Sequence, residues 1–465
     1  IATNIVSESF LATLRSDPKG LCGAFLGSAR KQGLAQSLTA IAGFDAAALP
    51  YREPVLDEIK TARAAGRPVI LATSVPQAWA EAVAEHLGLF DGVLASKDGA
   101  RLTGSAKRDA ILADAAERTG QVANGGDAPA FEFLGAKGGN KAVIEAASAA
   151  ILVSGGAAGG SAGDTRRIAV DVNSWRAHLK ALRPHQWSKN VFVLVPLALL
   201  ATIPSPAMLL SALLGFAAFC CVASATYIFN DLLDLRIDRA HHSKCRRPLA
   251  SGRLTIGAGV RLAVAVFALG VVCAALLPPL FQWILAGYVL CTVSYSLALK
   301  RVLLMDVLML AGLHTIRILA GGAAIAHAVS FWLLAFSLFF FLSLALVKRY
   351  VELVHLEESA ERKRTGRGYR YDDLETIALG GMCSAFSAVL VLALYIDSDQ
   401  TAAQLTYPWL LWPICPLILY VLMRVWILSR RKEMDDDPVA FALTDWRSQI
   451  MFGLAGTIYL VAPYV

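Results

Sequence analysis

Charge is scarce in this chain. Of its 465 residues, 17% are Asp, Glu, Lys or Arg, against about 25% in an ordinary soluble domain. Organised cysteine is missing as well: the eight cysteines form no CxxC pair and no His-coupled spacing. That excludes a zinc site of the usual kind and a disulfide framework; Cys220, Cys221, Cys273 and Cys291 stand in apolar runs and read as small core residues. Residues 1–20 lack an apolar stretch long enough for a cleavable signal peptide, so none is expected. There is also no clear internal repeat, which weakens a reading as a transporter or flippase.

Apolar residues are abundant. The hydrophobic fraction is 56% and the mean hydropathy +0.54, but the excess is uneven. Up to about Arg183 the chain reads as an Ala/Gly-rich α/β region: Pro68 to Ser74 and Phe90 to Ser96 look like buried strands, with a helix from Val75 to His86 between them, an alternation that predicts a parallel sheet. Residues 154–163, SGGAAGGSAG, are too polar and flexible to bury a core. The domain expectation is 1–152 for the α/β region, 153–167 for a Gly/Ala/Ser-rich linker and 168–465 for a membrane domain.

That second domain contains nine apolar blocks, near 190–204, 207–229, 257–278, 280–298, 302–325, 330–347, 376–396, 408–429 and 448–464. Crossing roughly 30 Å of hydrocarbon takes about 20 helical residues, so the blocks predict a nine-helix all-α transmembrane bundle. The formal net charge of +7 follows the same geometry. With nine spans, Lys and Arg cluster in the loops of one side: Arg183 and Lys189; Arg236 to Arg253; Lys300 and Arg301; Lys348 to Arg370; Arg430 to Lys432. The loops around Ile203–Pro206 and Asp397–Tyr407 carry neither residue. This places the N-terminal domain in the cytoplasm and the C-terminus outside an inner or plasma membrane, and it accounts for the basic charge without nucleic-acid binding.

The second block ends in carboxylates. Asp231, Asp234 and Asp238 are spaced three and four apart, on one helical face. Three acids there repel unless a cation holds them, and Mg²⁺ commonly bridges a few carboxylates to substrate phosphates. A basic loop follows at once, with Lys244, Arg246 and Arg247. Metal and base together are what a diphosphate needs, and acids at membrane depth are costly enough to be functional.

This pattern, NDxxDxxxD followed by RPLASG, resembles the first signature of the UbiA superfamily over roughly 180–465. The resemblance implies nine helices, a diphosphate held through Mg²⁺ by Asp231, Asp234 and Asp238, and an active site at the cytoplasmic surface. The family's second Asp pair is degraded: Asp306 is present, but Leu310 stands four residues on. The segments 183–190, 348–352 and 437–445 resemble the decaprenyl-phosphate phosphoribosyltransferase branch. That branch implies transfer of 5-phosphoribose from phosphoribosyl diphosphate to a polyprenyl phosphate, for arabinose-donor synthesis in cell-wall glycans. Asn230, Lys244, Arg246 and Arg247 are then expected as phosphate contacts. Lys189, Tyr295, Lys300, Arg317, Lys348 and Arg349 are expected near the lipid phosphate or 5-phosphate, with Tyr371, beside Tyr369, in a loop able to close over the site. A homo-oligomer is a further expectation. The alternative is an aromatic prenyltransferase with a polyprenyl diphosphate donor.

The first region resembles haloacid-dehalogenase-like (HAD-like, Rossmannoid) phosphatases. Thr73 in Leu71-Ala72-Thr73-Ser74 looks like the phosphoryl-holding hydroxyl, Lys107 like the neutralising lysine and Asp127 like the acidic Mg²⁺ position. No DxDxT appears, and Phe131 stands where a second acid is common. Two expectations follow: a scaffold without activity, or a first strand lying upstream of Ile1, in which case the intact protein would remove the lipid product's 5-phosphate.

Overall fold

The computed structural model describes residues 4–16, 44–97, 100–119, 130–136, 138, 140–155, 165–200, 203–358, 368–402, 405–434 and 437–464. The chain divides into two compact units. One is Ile1–Leu182 with Tyr227–Ala263; the other is Arg183–Thr226 with Val264–Val465.

The first unit begins with α1 (Ile5–Ser16) and α2 (Glu53–Ala64). It continues through β1 (Ile70–Pro76), α3 (Gln77–Leu87), β2 (Gly92–Ser96), α4 (Gly104–Thr119), β3 (Glu132–Gly135), α5 (Lys141–Ala146), β4 (Ala149–Gly155), β5 (Thr165–Val170) and α6 (Trp175–Leu182). Every strand pair is parallel: β1 with β2, and β3, β4 and β5 in order. Parallel strands need covered crossovers, and helices alternate with the strands as the apolar pattern predicts. Apolar Ile5, Ala46, Leu49, Trp79 and Val83 close a small core, with the ring of Phe44 stacked on Trp79 at 5.4 Å.

The sheet corrects the linker boundary. Residues 153–155 and 165–167 are strand, because β4 and β5 pair in register from Ala150 opposite Thr165 to Gly155 opposite Val170. Ladder hydrogen bonds override the Ser/Gly composition at these positions. The α/β region therefore runs to Val170 rather than stopping at 152, and residues 156–164 lie outside the described part.

Helices α7 (Pro206–Leu233), α8 (Leu235–Ala240) and α9 (Ile256–Ala275) follow. The second unit adds a 3₁₀ segment, Pro184–Leu194, with α10 (Pro279–Leu297), α11 (Met305–Ala324), α12 (Phe331–Glu358), α13 (Leu374–Ile396), α14 (Ile414–Arg430), α15 (Pro438–Thr444) and α16 (Trp446–Val461). Among the described residues, seven helices are long and apolar enough to cross a membrane. The first and last predicted blocks are not among them. Within block 190–204, the described residues 190–200 hold the end of the 3₁₀ segment and a four-residue helix, Val195–Ala198, where Pro196 withholds a backbone donor. Block 448–464 forms the 16-residue α16, about 24 Å long at 1.5 Å per residue.

Two apolar clusters hold the second unit. Val307, Phe341, Leu344, Leu353, Ala385 and Trp426 belong to the larger, built from α11 to α16. Phe219, Phe281, Tyr288 and Ala320 belong to the other. Small residues let these helices approach closely. A Cβ on Gly321 would lie 2.0 Å from the Val193 carbonyl oxygen, a backbone atom that cannot rotate away. Gly312 on the same helix has no heavy atom within 4 Å of that position. Gly321→Ala should therefore destabilise by about 1–3 kcal/mol or more, and Gly312→Ala should be near neutral. Thermal unfolding in detergent reads both, and equal behaviour of the two variants would contradict the packing argument.

Candidate functional site

The carboxylate cluster sits where α7 passes into α8. Asp234 takes the position between them, with φ −96° and ψ 7°. The backbone bonds from Asp234 N to Asn230 O (2.9 Å) and from Asp238 N to Asp234 O (2.8 Å) carry helical spacing through the junction. Asp231 and Asp238, seven residues apart, therefore stay on one side, and both are buried, at 5% and 3% exposure. Asp234 is half-buried.

A single nitrogen joins the buried pair. Arg247 Nη1 donates to Asp231 Oδ1 at 3.0 Å and to Asp238 Oδ2 at 2.6 Å. The Arg-Pro-Leu-Ala-Ser-Gly segment that carries it is a compact turn. Ser251 Oγ donates to the Arg247 carbonyl at 2.8 Å, and Leu254 N donates to the Pro248 carbonyl at 2.9 Å. Gly252 supplies the left-handed φ of +71° that a β-carbon disfavours. Leu249 and Leu254 anchor the turn against Ile228, Leu232 and Leu235, so apolar packing aims the guanidinium at the acids. Lys244 and Arg246 share the 3₁₀ turn just before it; Lys244 is half-buried, Arg246 exposed and Asn230 half-buried.

The donor set fits a divalent cation. Two carboxylates converge on one cationic atom, which marks a point where positive charge is stabilised, and with Arg247 they still leave one negative charge. Among the described residues no group of three His, Cys, Asp or Glu side chains gathers as a metal site. The expected third carboxylate, Asp234, is thus not drawn into such a group. Asp231 and Asp238 would hold Mg²⁺, with remaining ligands from phosphate and water, as is usual for this ion.

The second unit holds the other predicted positions. Lys189 pairs with Asp437 and donates to Gln186 Oε1 at 2.8 Å. Burial alone would raise the Asp437 carboxyl, but the Lys189 ammonium outweighs it and holds it below the ordinary carboxylate range. Burial, reinforced by the charges of Arg183 and Lys189, lowers His185. Arg317 is 5% exposed. It donates through Nε to Asn190 Oδ1 (2.9 Å), through Nη2 to the Tyr288 hydroxyl (2.9 Å) and through Nη1 to the Leu313 carbonyl, and it lies over the Tyr288 ring. It is a strut between α10, α11 and the 3₁₀ segment.

Arg349 is an internal residue too. Its Nε lies 3.0 Å from Asp306 Oδ2, with the two side chains 1% and 0% exposed, and Nη1 pairs with Glu352. The Tyr369 hydroxyl donates to Asp306 Oδ1 at 2.6 Å and accepts from Leu304 N at 3.2 Å. Burial, then the Asp306 hydrogen bond, raises that phenol well above its ordinary range. Of the two loop tyrosines, Tyr369 is locked inside and Tyr371 is exposed. Tyr295, Lys300 and Lys348 are half-buried.

In the α/β region, β1 with Thr73 lines a cavity of about 1840 Å³. Lys107 is buried elsewhere, donating to Asn140 Oδ1 at 3.2 Å, and burial lowers its ammonium. Asp127 lies outside the described residues. Sequence reasoning missed Glu8 and Arg239, which form a buried ion pair; no local motif links residues so far apart.

A buried acid pair clamped by arginine thus stands where an apolar helix of membrane-spanning length ends. The chain belongs to the UbiA prenyltransferase family, whose model matches residues 190–452, and residues 24–132 match the haloacid dehalogenase-like hydrolase model. Among its relatives, the protein y4nM of Sinorhizobium fredii is 34% identical, over 93% of this chain and 83% of its own length. The nodulation protein NoeC of Azorhizobium caulinodans is 34% identical over 61% of this chain and 93% of its own. The decaprenyl-phosphate phosphoribosyltransferase of Corynebacterium glutamicum is 34% identical over 41% and 59%. A solved UbiA homologue from Archaeoglobus fulgidus, bound to GPP and Mg²⁺, is similar at 20% identity over 62% of this chain and all of that one, with a TM-score of 0.47.

Proposed function

We propose that the protein transfers 5-phosphoribose from phosphoribosyl diphosphate to a polyprenyl phosphate. A lipid phosphate oxygen attacks the ribose anomeric carbon, the bond from that carbon to the diphosphate oxygen breaks, and diphosphate leaves. The observation that carries this reading is the convergence of Asp231 and Asp238 on one cationic point beside a basic loop. Bound Mg²⁺ would stabilise charge on the departing diphosphate. Lys244, Arg246 and Arg247 would neutralise its other oxygens, and positioning of the two substrates supplies much of the remainder. No protein nucleophile is needed.

The choice of ribosyl over prenyl donor is supported by Asp306. With Leu310 in place of a second acid and Arg349 paired to Asp306, a second carboxylate–metal set is not built. The similarity to a decaprenyl-phosphate phosphoribosyltransferase points the same way. Lys189, Lys300 and Lys348 are the basic residues we assign to the acceptor phosphate or the 5-phosphate. The basic loops and the α/β region, both on the cytoplasmic side, complete this reading.

Purified protein in detergent, given Mg²⁺, phosphoribosyl diphosphate and a polyprenyl phosphate, should yield a lipid heavier by one ribose phosphate in mass spectrometry. Chelation of the metal should abolish the product, and added Mg²⁺ should restore it. Transfer from a polyprenyl diphosphate to an aromatic acceptor, with no ribosylated lipid, would replace the proposal.

A further inference from the structure

The α/β region meets the carboxylate helix at a buried ion pair. Glu8 on α1 pairs with Arg239 on α8, the residue directly after Asp238, and the two side chains are 8% and 7% exposed. Arg239 also donates Nη1 to the Ala48 carbonyl at 3.1 Å and Nε to the Ala250 carbonyl at 3.0 Å. Ala250 lies in the turn that carries Arg247, and Arg247 grips Asp238. A closed ring results: Glu8 holds Arg239, Arg239 holds the turn, and the turn holds the acids. Beside it, Leu11 of α1 packs against the cluster containing Leu232 and Leu235. Two anchors, one ionic and one apolar, thus tie α1 to the helix junction.

The charge balance gives this contact a consequence. Asp231, Asp238 and Glu8 contribute three negative charges; Arg247 and Arg239 contribute two positive ones; the group carries −1. Without Glu8 it is neutral, and the positive charge of Arg239, no longer offset, opposes a metal ion at the neighbouring Asp238. We infer that Glu8 is a positioning residue for the carboxylate pair: by neutralising Arg239 it keeps Asp238 available to a divalent cation, making the α/β region a working part of the transferase site. This rests on the metal role of Asp231 and Asp238 proposed above.

The test is Mn²⁺ binding to the purified full chain, followed by electron paramagnetic resonance without substrate. Glu8→Gln should weaken binding roughly tenfold, the scale expected for one unit charge lost within a Debye length of a divalent ion. Arg239→Gln leaves the group at −2 and should bind as tightly as wild type or more so. The double variant returns to −1 and should recover wild-type affinity. A purely structural contact would weaken both single variants alike, and that result, or unchanged affinity in Glu8→Gln, overturns the inference. Asp231→Asn runs alongside. If it too binds Mn²⁺ like wild type, the metal site itself is lost; if it alone loses binding, the site stands and only the Glu8 role falls.

Discussion

Asp231→Asn and Asp238→Asn are each expected to lower the transfer rate by two to three orders of magnitude, the scale found when one preorganised charge-stabilising group is removed. Both carboxylates meet the same Arg247 nitrogen, so losing either leaves one acid facing one guanidinium and no net negative charge for a cation. The effect should fall on diphosphate release and on Mn²⁺ affinity together, while thermal unfolding in the absence of metal changes little, because Asn can still accept from Arg247. The contrast between intact fold and lost metal binding separates a ligand from a strut. Either variant retaining activity within threefold of wild type would remove the pair from the site.

What the sequence disclosed, and what it hid, follows from range. The seven long helices were legible because each is a long, predominantly apolar run between breakers. Residues 190–200 were not legible as they fold, because Pro196 interrupts a run whose composition alone matched a span. The spacing of Asp231 and Asp238 survives the α7–α8 junction since the backbone bonds there keep helical geometry, so a local motif predicted a local constellation. Arg247 was visible as a base in a basic loop; that it clamps both acids depends on Leu249 and Leu254 packing the turn into place. Arg317 shows what the sequence hides about partners. An intramembrane arginine reads as functional, yet Asn190, Tyr288 and Leu313 take up its donors, and no pattern announces partners from three separate segments. The pairs Lys189–Asp437 and Glu8–Arg239 were hidden for the same reason, since each joins residues far apart in the chain, and the predicted linker gave way to strand at its two ends, where pairing outvoted composition.

The second large effect is on stability. Arg349→Met should destabilise the protein by about 3–5 kcal/mol, the cost typical of breaking a buried ion pair by removing one partner. Asp306, at 0% exposure, would lose the guanidinium beside it, while the Tyr369 hydroxyl still donates to it. Asp306 also stands in the first turn of α11, where the helix dipole favours an anion, so it has no easy escape by movement. The network ties α11, α12 and the segment at Tyr369 together, and its failure should loosen all three. Asp306→Asn should cost less, since the amide oxygen still accepts from Tyr369, although Arg349 then keeps only Glu352. The double variant Asp306→Asn, Arg349→Met removes both buried charges and should recover much of the single variant's loss. Thermal unfolding of the four proteins in one detergent measures the coupling. Additive losses, or an Arg349→Met variant within about 1 kcal/mol of wild type, would mean the pair is not the buried lock that its geometry describes.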